Sequence, residues 1–165
     1  MKVSGNAIVL TNGKFDTKSA KTAHGLIRGS KRFIIKSVID DKFYAQYVHS
    51  NKHGNVFMSS TKSKIPVFKN VESFLEAGID VNYCIIGVAS AGGILPEEMR
   101  NDVILALNNN ISIVNGLHSI LNYDSQLKKI ADNNNVKIYD VRVSKSRDQL
   151  SFWSGKIYDV KSPKI

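Results

Sequence analysis

The residues best suited to bind a ligand lie in three short polar segments, each of which directly follows an apolar, β-branched run. The first segment combines a glycine, two lysines, hydroxyl groups and an aspartate. Lysines and hydroxyls in front of a helix suit an anion held at the helix N-terminus. The alternative is a structural turn with solvated lysines. The candidate ligand-binding residues of this segment are Asn12, Gly13, Lys14, Asp16, Thr17, Lys18 and Ser19.

The second and third segments offer small residues and one imidazole. Small residues allow backbone N–H groups to approach a ligand closely, and they equally permit tight packing of a strand against a helix. The third segment adds an amide and an imidazole that could orient a ligand, although an isolated histidine is more often a surface or capping residue. The candidates are Ser90, Gly92 and Gly93 in the second segment, and Asn115, Gly116 and His118 in the third.

None of the three segments matches a complete catalytic or dinucleotide-binding motif. The first is similar to a phosphate-binding P-loop, but Lys18 and Ser19 follow Gly13 one residue too early and without a second glycine. The glycines between 87 and 93 do not have G-x-G-x-x-G spacing. The four histidines lack carboxylate or cysteine partners at metal-ligand spacing. The sequence therefore predicts no metal site, and the catalytic residues stay unknown.

The elements that would position these segments alternate between strand and helix. Apolar, β-branched runs predict buried strands at 7–11, 33–39, 83–89, 111–115 and 136–142, with a short extended piece at 65–68. Helices are predicted at 18–28, with Asp16 or Thr17 as N-cap and Gly29 as C′ residue, at 71–77, from Pro96 to about 108, and at 124–133. This alternation predicts an α/β, Rossmann-like three-layer domain with a mainly parallel sheet of about five strands.

Two stretches interrupt this alternation. Residues 42–64 lack a sustained apolar period and predict a long mobile loop, with a short helix at about 43–48 as an option. Residues 144–165 predict an arm or linker, or an extra strand or hairpin. We therefore expect a Rossmann-like domain over 1–143, with a mobile insertion at about 42–64, followed by the arm. Ligands of such sheets bind outside the carboxyl ends of the strands, where the three polar segments should meet.

Composition is ordinary for a globular domain, but the charge is unevenly distributed. The 165 residues carry a net charge of +9, and residues 1–64 alone hold 12 Lys or Arg against 3 Asp or Glu. A basic region favours anionic partners such as nucleotides, phosphates, carboxylates or an acidic protein surface. No N-terminal stretch of the sequence is typical of a signal peptide, and no apolar run approaches the ~20 residues of a membrane span. With one cysteine, the expected compartment is the cytoplasm, without membrane association.

Four runs of the sequence resemble one specific family. They are 7–28, 83–93, 112–118 and the final Phe152-Trp153-Ser154-Gly155. Together these runs resemble the N-terminal domain of the D-glutamate N-acetyltransferase-like family, formerly of unknown function, over nearly the whole chain except 42–64. The resemblance implies a Rossmann-like domain normally followed by a P-loop domain beyond Ile165. It implies acetyl transfer from acetyl-CoA to a D-amino acid only for the complete protein.

Three functions follow as hypotheses. The first is a ligand-binding or structural domain that takes a small anionic ligand, is not catalytic alone, and works with a C-terminal P-loop domain or a separate chain that carries one. Acetyl-CoA or a nucleotide would then be the cofactor of the full-length protein. The second is a non-catalytic module that forms a homo-oligomer through a sheet edge and the arm containing Trp153. The least favoured is nucleic-acid binding, since no recognised module supports it.

Overall fold

The computed structural model describes residues 3–143. These residues form one eight-stranded sheet and four α-helices, with short 3-10 helices at Lys18–Ala20, Ala91–Gly93 and Leu121–Tyr123. The strands are β1 (Gly5–Leu10), β2 (Phe33–Ile39), β3 (Tyr47–Ser50), β4 (Val56–Ser59), β5 (Ile65–Phe68), β6 (Tyr83–Ile86), β7 (Ser112–Asn115) and β8 (Ile138–Asp140). The α-helices are α1 (Lys21–Gly29), α2 (Val71–Glu76), α3 (Glu97–Asn108) and α4 (Ser125–Asn133).

The strand order is β4-β3-β5-β2-β1-β6-β7-β8. The strands from β5 to β8 in this order are parallel, whereas β3 is antiparallel to both β4 and β5. Numbered along the chain, the parallel strands follow the order 3-2-1-4-5-6 of a doubly wound dinucleotide-binding fold. The predicted class, a Rossmann-like domain with a mainly parallel sheet, is confirmed; the sheet has eight strands instead of about five.

Helices cover both faces of this sheet. α2 packs beside α3 and α3 beside α4, while α1 packs against β2 and β4. The connection from β1 to β2 runs in the opposite direction along the sheet from the connections that contain α2, α3 and α4. Right-handed crossovers therefore place α1 on the opposite face. The apolar stripe predicted on α3, Met99, Val103, Ala106 and Leu107, is buried against the core. The central strand β1 is fully buried from Ala7 to Leu10.

The prediction of a long loop at 42–64 is wrong, because this segment contains two strands. The segment contains the antiparallel hairpin β3–β4, which β5 joins to the parallel sheet. The optional helix at 43–48 does not form, because Ala45 has a φ of 63° and Tyr47 begins β3. Val48 anchors the hairpin in a small core with Phe15, Val38 and Val67.

Helix α1 differs from the prediction at both ends. Lys18–Ala20 form a 3-10 turn before the α-helix starts, and the predicted N-cap Thr17 accepts a hydrogen bond from the Ser19 amide. Gly29 is the last helical residue and not the left-handed C′ residue that the sequence predicts; the C-cap is Ser30, in extended conformation. The predicted arm at 144–165, with Trp153, lies outside the described residues.

Candidate functional site

The three polar segments lie on one edge of the sheet. β1, β6 and β7 are parallel neighbours, so the loops at their carboxyl ends are adjacent. The first and second loops are joined by the Ala89 amide, which donates to the Ser19 carbonyl at 2.9 Å. The second and third are joined by the Ser119 amide, which donates to the Gly93 carbonyl at 2.8 Å. The strand order reverses between β1 and β6, which is where Rossmann folds bind ligands. We call this edge, formed by residues 12–19, 87–93 and 115–119, the rim.

The first loop is held from within by a buried carboxylate. Asp40, directly after β2, is fully buried and accepts hydrogen bonds from the Thr11 hydroxyl at 2.7 Å and the Phe15 amide at 3.3 Å. Asn12 and Gly13 turn the chain with φ angles of 41° and 70°. The Thr17 hydroxyl donates to the Lys14 carbonyl at 2.7 Å. The loop is therefore a closed, internally bonded turn.

Two of the charges on the first loop are compensated by neighbouring side chains. The Lys14 ammonium lies 3.6 Å from the Glu98 carboxylate of α3. The Asp16 carboxylate lies 2.7 Å from the Lys42 ammonium, and that hydrogen bond lowers the pKa of Asp16. Lys18 is exposed. A carboxylate therefore offsets the charge of Lys14, whereas Lys18 forms no ion pair within residues 3–143.

The second loop depends on glycine where it meets the third. Gly92 and Gly93 both have a φ of 66°, and the Ser90 hydroxyl donates to the Ile94 carbonyl. A Cβ on Gly93 would lie only 2.6 Å from Cδ2 of His118. Such a contact is far inside van der Waals distance, so any side chain at 93 would displace the imidazole. The glycine here sets the position of His118.

The third loop is braced by Asn115 and Asp140. Asn115 is fully buried; its side-chain amide donates to Asp140 and to the Ser119 carbonyl, both at 2.7 Å, while its oxygen accepts from the Leu117 amide at 2.9 Å. Asp140, the last residue of β8, also accepts hydrogen bonds from the backbone of residues 121 and 122. Burial alone would raise the pKa of Asp140, but these hydrogen bonds outweigh it and lower that pKa. Asn115 therefore shapes the loop from inside.

A small cavity of about 130 Å³ opens between the second and third loops. Its one guanidinium belongs to Arg142, which follows β8 and donates from Nη1 to Nε2 of His118 at 3.2 Å. Arg142 is absent from the predicted site residues because the sequence pattern predicts a strand that ends at this residue. The fold shows its position: β8 is the neighbour of β7, so Arg142 lies beside the third loop and extends the rim. The lining residues are Ala89, Ser90, Gly93, Gly116, Leu117, His118 and Arg142.

The rim does not reproduce a dinucleotide site in the described part of the chain. In such sites a phosphate sits at a helix N-terminus, and an acid after the second strand binds the ribose. Here the Ala23 amide in the first turn of α1 donates to the Gly87 carbonyl at 3.0 Å. The first turn of α3 carries Glu97 and Glu98, whose negative charges disfavour a phosphate there. Two acids follow β2: Asp40 is buried and already hydrogen-bonded, whereas Asp41 is exposed.

Outside the rim, three further features were considered as functional sites: a second cavity, metal-ligand clusters and membrane-spanning helices. A cavity of about 360 Å³ between β3 and β5 is lined by Tyr44, Gln46 and Pro66 among others, and by none of the candidate residues. Within residues 3–143, no group of three His, Cys, Asp or Glu side chains is placed to hold a metal ion. No helix in that range has the length and apolar character needed to cross a membrane.

A family model and solved structures relate the chain to known proteins. Residues 49–144 match the family model described as a domain of unknown function (DUF1611_N), Rossmann-like domain. The chain is similar to the crystal structure of a DUF1611 family protein from Anabaena variabilis, with 26% identity and a TM-score of 0.74 over 94% of this chain. It spans 42% of that protein's length. Homoserine dehydrogenase from S. aureus follows with 14% identity and a TM-score of 0.40, over 84% of this chain and 33% of that one. No curated protein matches the chain.

Proposed function

The chain belongs to the DUF1611_N family of Rossmann-like domains, and from that premise we propose that it binds a small anionic ligand at the rim. In the finer form of the proposal, it is the N-terminal ligand-binding or structural domain of a D-amino-acid N-acetyltransferase-like protein that acts on D-glutamate. The four runs that resemble that family support this form, as does the cavity beside Arg142. The domain is not catalytic alone.

The observation that supports the proposal most is the meeting of the three loops on one rim, which includes the point where the strand order reverses. Ligand sites in open α/β sheets form near this point because neighbouring loops diverge there and leave a crevice. The cavity lies one strand further along the rim, between the second and third loops, and exposes a guanidinium and an imidazole together with Gly93 and Gly116. These groups suit an acidic small molecule, because they offer charged and neutral hydrogen-bond donors in one place.

Acetyl-CoA does not fit the rim cavity. Typical sites for drug-sized ligands measure about 300–1,000 Å³, whereas the cavity measures about 130 Å³. The proposal therefore assigns acetyl-CoA, or a nucleotide, to the P-loop domain of the full-length protein or to a separate chain that carries one. When bound there it would supply the acetyl group, while residues of this chain would hold the acidic acceptor.

Calorimetric titration of the chain with D-glutamate, L-glutamate, CoA and ATP tests the proposal. We expect weak binding of D-glutamate, weaker binding of CoA and ATP, and no N-acetylglutamate by mass spectrometry when acetyl-CoA is added. A folded chain that binds none of these compounds would contradict the ligand-binding proposal. Turnover of acetyl-CoA by the chain itself would contradict the assignment of catalysis to the full-length protein.

A second candidate function is assembly into a homo-oligomer. β4 is an edge strand of the sheet, and its Phe57 is 46% exposed and stacks on His49 of β3, with ring centroids 5.5 Å apart. Exposed edge strands with apolar side chains are places where a second chain can pair. Light scattering of the full chain and of Phe57→Lys distinguishes this function. A stable oligomer that the substitution dissociates would favour it, and a monomer would count against it.

A further inference from the structure

Within residues 3–143, two cations at the rim form no ion pair: Lys18, which is exposed, and Arg142, which lines the cavity. Lys14 and Asp16 of the first loop each have an oppositely charged partner within 3.6 Å. By contrast, no carboxylate within residues 3–143 forms an ion pair with Arg142. A guanidinium beside a cavity, without a carboxylate partner in the described part of the chain, is placed to receive an anion from outside.

The Arg142 guanidinium supplies the positive charge at this cavity. It carries only N–H donors and contacts Nε2 of His118 at 3.2 Å. The cavity therefore presents the planar donor fork of Arg142 beside the imidazole ring.

The size of the cavity limits the ligand group to a small one. An apolar protein cavity of about 150 Å³ binds benzene, so 130 Å³ accommodates roughly six heavy atoms. That volume suits a carboxylate with its first few carbon atoms. A nucleotide or CoA could place only a fragment of itself there.

The surroundings of the rim favour a carboxylate over a phosphate. A phosphate dianion is bound best by several donors at a helix N-terminus. At this rim the Ala23 amide of α1 is bonded to Gly87, and the first turn of α3 carries two glutamates. A carboxylate has one negative charge and two in-plane oxygens, which match the fork of one arginine.

We infer that the cavity binds the carboxylate end of a small carboxylic acid, and that Arg142 is the residue that determines this specificity. The inference deepens the proposed function and rests on it, since it names the chemical group that the rim recognises. His118, held in place by its contact with Gly93, orients the guanidinium. Any longer part of the acid extends from the cavity over the rim.

NMR titration of the full 165-residue chain with propionate, propionamide and inorganic phosphate tests the inference. Propionate and propionamide have nearly the same shape, so their difference isolates the charge. We expect propionate to shift the amide resonances of residues 89–93 and 116–118, and to bind about tenfold or more tightly than the other two probes. Equal or tighter binding of phosphate, or of the neutral amide, would overturn the inference.

Variants of Arg142 complete the test. Arg142→Met should weaken propionate binding about tenfold or more, and Arg142→Lys should restore only part of it because an ammonium lacks the bidentate fork. Arg32→Met is the matched control, since Arg32 is exposed and lies before β2 at the other end of the strands. Unchanged affinity in Arg142→Met overturns the inference. If D-glutamate binds but propionate does not, the inference fails and the proposed function stands; if no acid binds the folded chain, both fail.

Discussion

The loops after β1 and β7 are built on the same plan but leave different groups at the surface. Each is held by an aspartate at the carboxyl end of the neighbouring outer strand: Asp40 after β2 braces the first loop, and Asp140 of β8 braces the third. In the first loop, Lys14 and Asp16 pair with residues of the same molecule, while Lys18 is exposed. Beside the third loop, the Arg142 guanidinium contacts the imidazole of His118 and lines a cavity.

This difference shows why the number of charged residues in a loop is a poor guide to its ligand. The first loop has more lysines and hydroxyls, yet its ion pairs and its closed turn leave less of that chemistry for a ligand. The region of the third loop has one cation, contributed by the next strand, and a cavity beside it. We therefore propose that the ligand binds at the β6–β7 end of the rim.

Removing the hydrogen bonds of Asp40 to the first loop should lower the stability of the protein more than removing those of Asp140 to the third loop. Asp40→Asn replaces one oxygen of a fully buried carboxylate, which accepts from Thr11, Phe15, Lys42 and Phe43, with an amide that donates. We expect the free energy of unfolding in urea to fall by about 3 kcal/mol, because buried N–H donors lose their acceptor. Asp41→Asn is the control at the exposed neighbouring position, with an expected change within about 0.5 kcal/mol. Equal effects at 40 and 41 would show that the brace does not exist.

The brace of the third loop should be weaker and dependent on pH. Asp140 accepts from four N–H donors, two on each oxygen. Asp140→Asn places an amide NH2 opposite two of them, and because Asp140 is only half-buried we expect a loss of about 2 kcal/mol at pH 7. The folded protein lowers the pKa of Asp140, so its contribution is present above the unfolded pKa of about 4. It disappears as pH falls through the lower folded pKa. Urea unfolding at pH 7 and pH 3 should therefore show a smaller difference between the two proteins in acid; a difference that grows in acid contradicts the assignment.

Alanine substitutions at Gly92 and Gly93 separate the effect of a Cβ that meets His118 from the effect of the left-handed backbone. Gly92 and Gly93 share a φ of 66°, but an added Cβ meets nothing within 4 Å at 92 and meets His118 at 2.6 Å at 93. Both alanine substitutions should cost about 1 kcal/mol for the left-handed backbone. Gly93→Ala should cost about 1–2 kcal/mol more and should shift the His118 ring resonances in NMR spectra. Identical behaviour of the two variants would mean that the second loop does not position His118.

The smallest effect is expected for the ion pair of the first loop. Lys14 and Glu98 are 3.6 Å apart and both partly exposed, so Lys14→Met should change the unfolding free energy by less than about 0.5 kcal/mol. Its loss of affinity for D-glutamate should also be smaller than that of Arg142→Met. Calorimetry on both variants gives the ranking, and the reverse order would move the site to the first loop.

Much of the fold is predictable because its strands are buried on both faces. The runs at β1, β2 and β6 are nearly continuous apolar stretches, a pattern that parallel sheets require. The hairpin β3–β4 escaped prediction because its short strands bury little: Val48 is its buried residue, and the neighbouring positions are polar or partly exposed. No apolar alternation marks such strands, and their pairing with β5 is a long-range contact.

The position of the proposed site is predictable from the sequence, but Arg142, the residue that we propose determines its specificity, is not. The βα junctions at 12–19, 90–93 and 115–118 follow buried strands, so their shared edge follows from the parallel order. Arg142 has no local motif, and it becomes relevant because β8 lies beside β7. Likewise, Asp40 and Asp140 mark strand ends in the sequence, whereas their bracing roles depend on hydrogen bonds to loops 19–29 residues away.

A crystal structure of the chain grown with D-glutamate tests the central claim most directly. The account predicts a carboxylate in hydrogen-bond contact with the Arg142 guanidinium, in the cavity between the second and third loops, with the Lys14–Glu98 pair intact. A ligand carboxylate held instead by Lys14 or Lys18, with the Arg142 cavity empty, would contradict it.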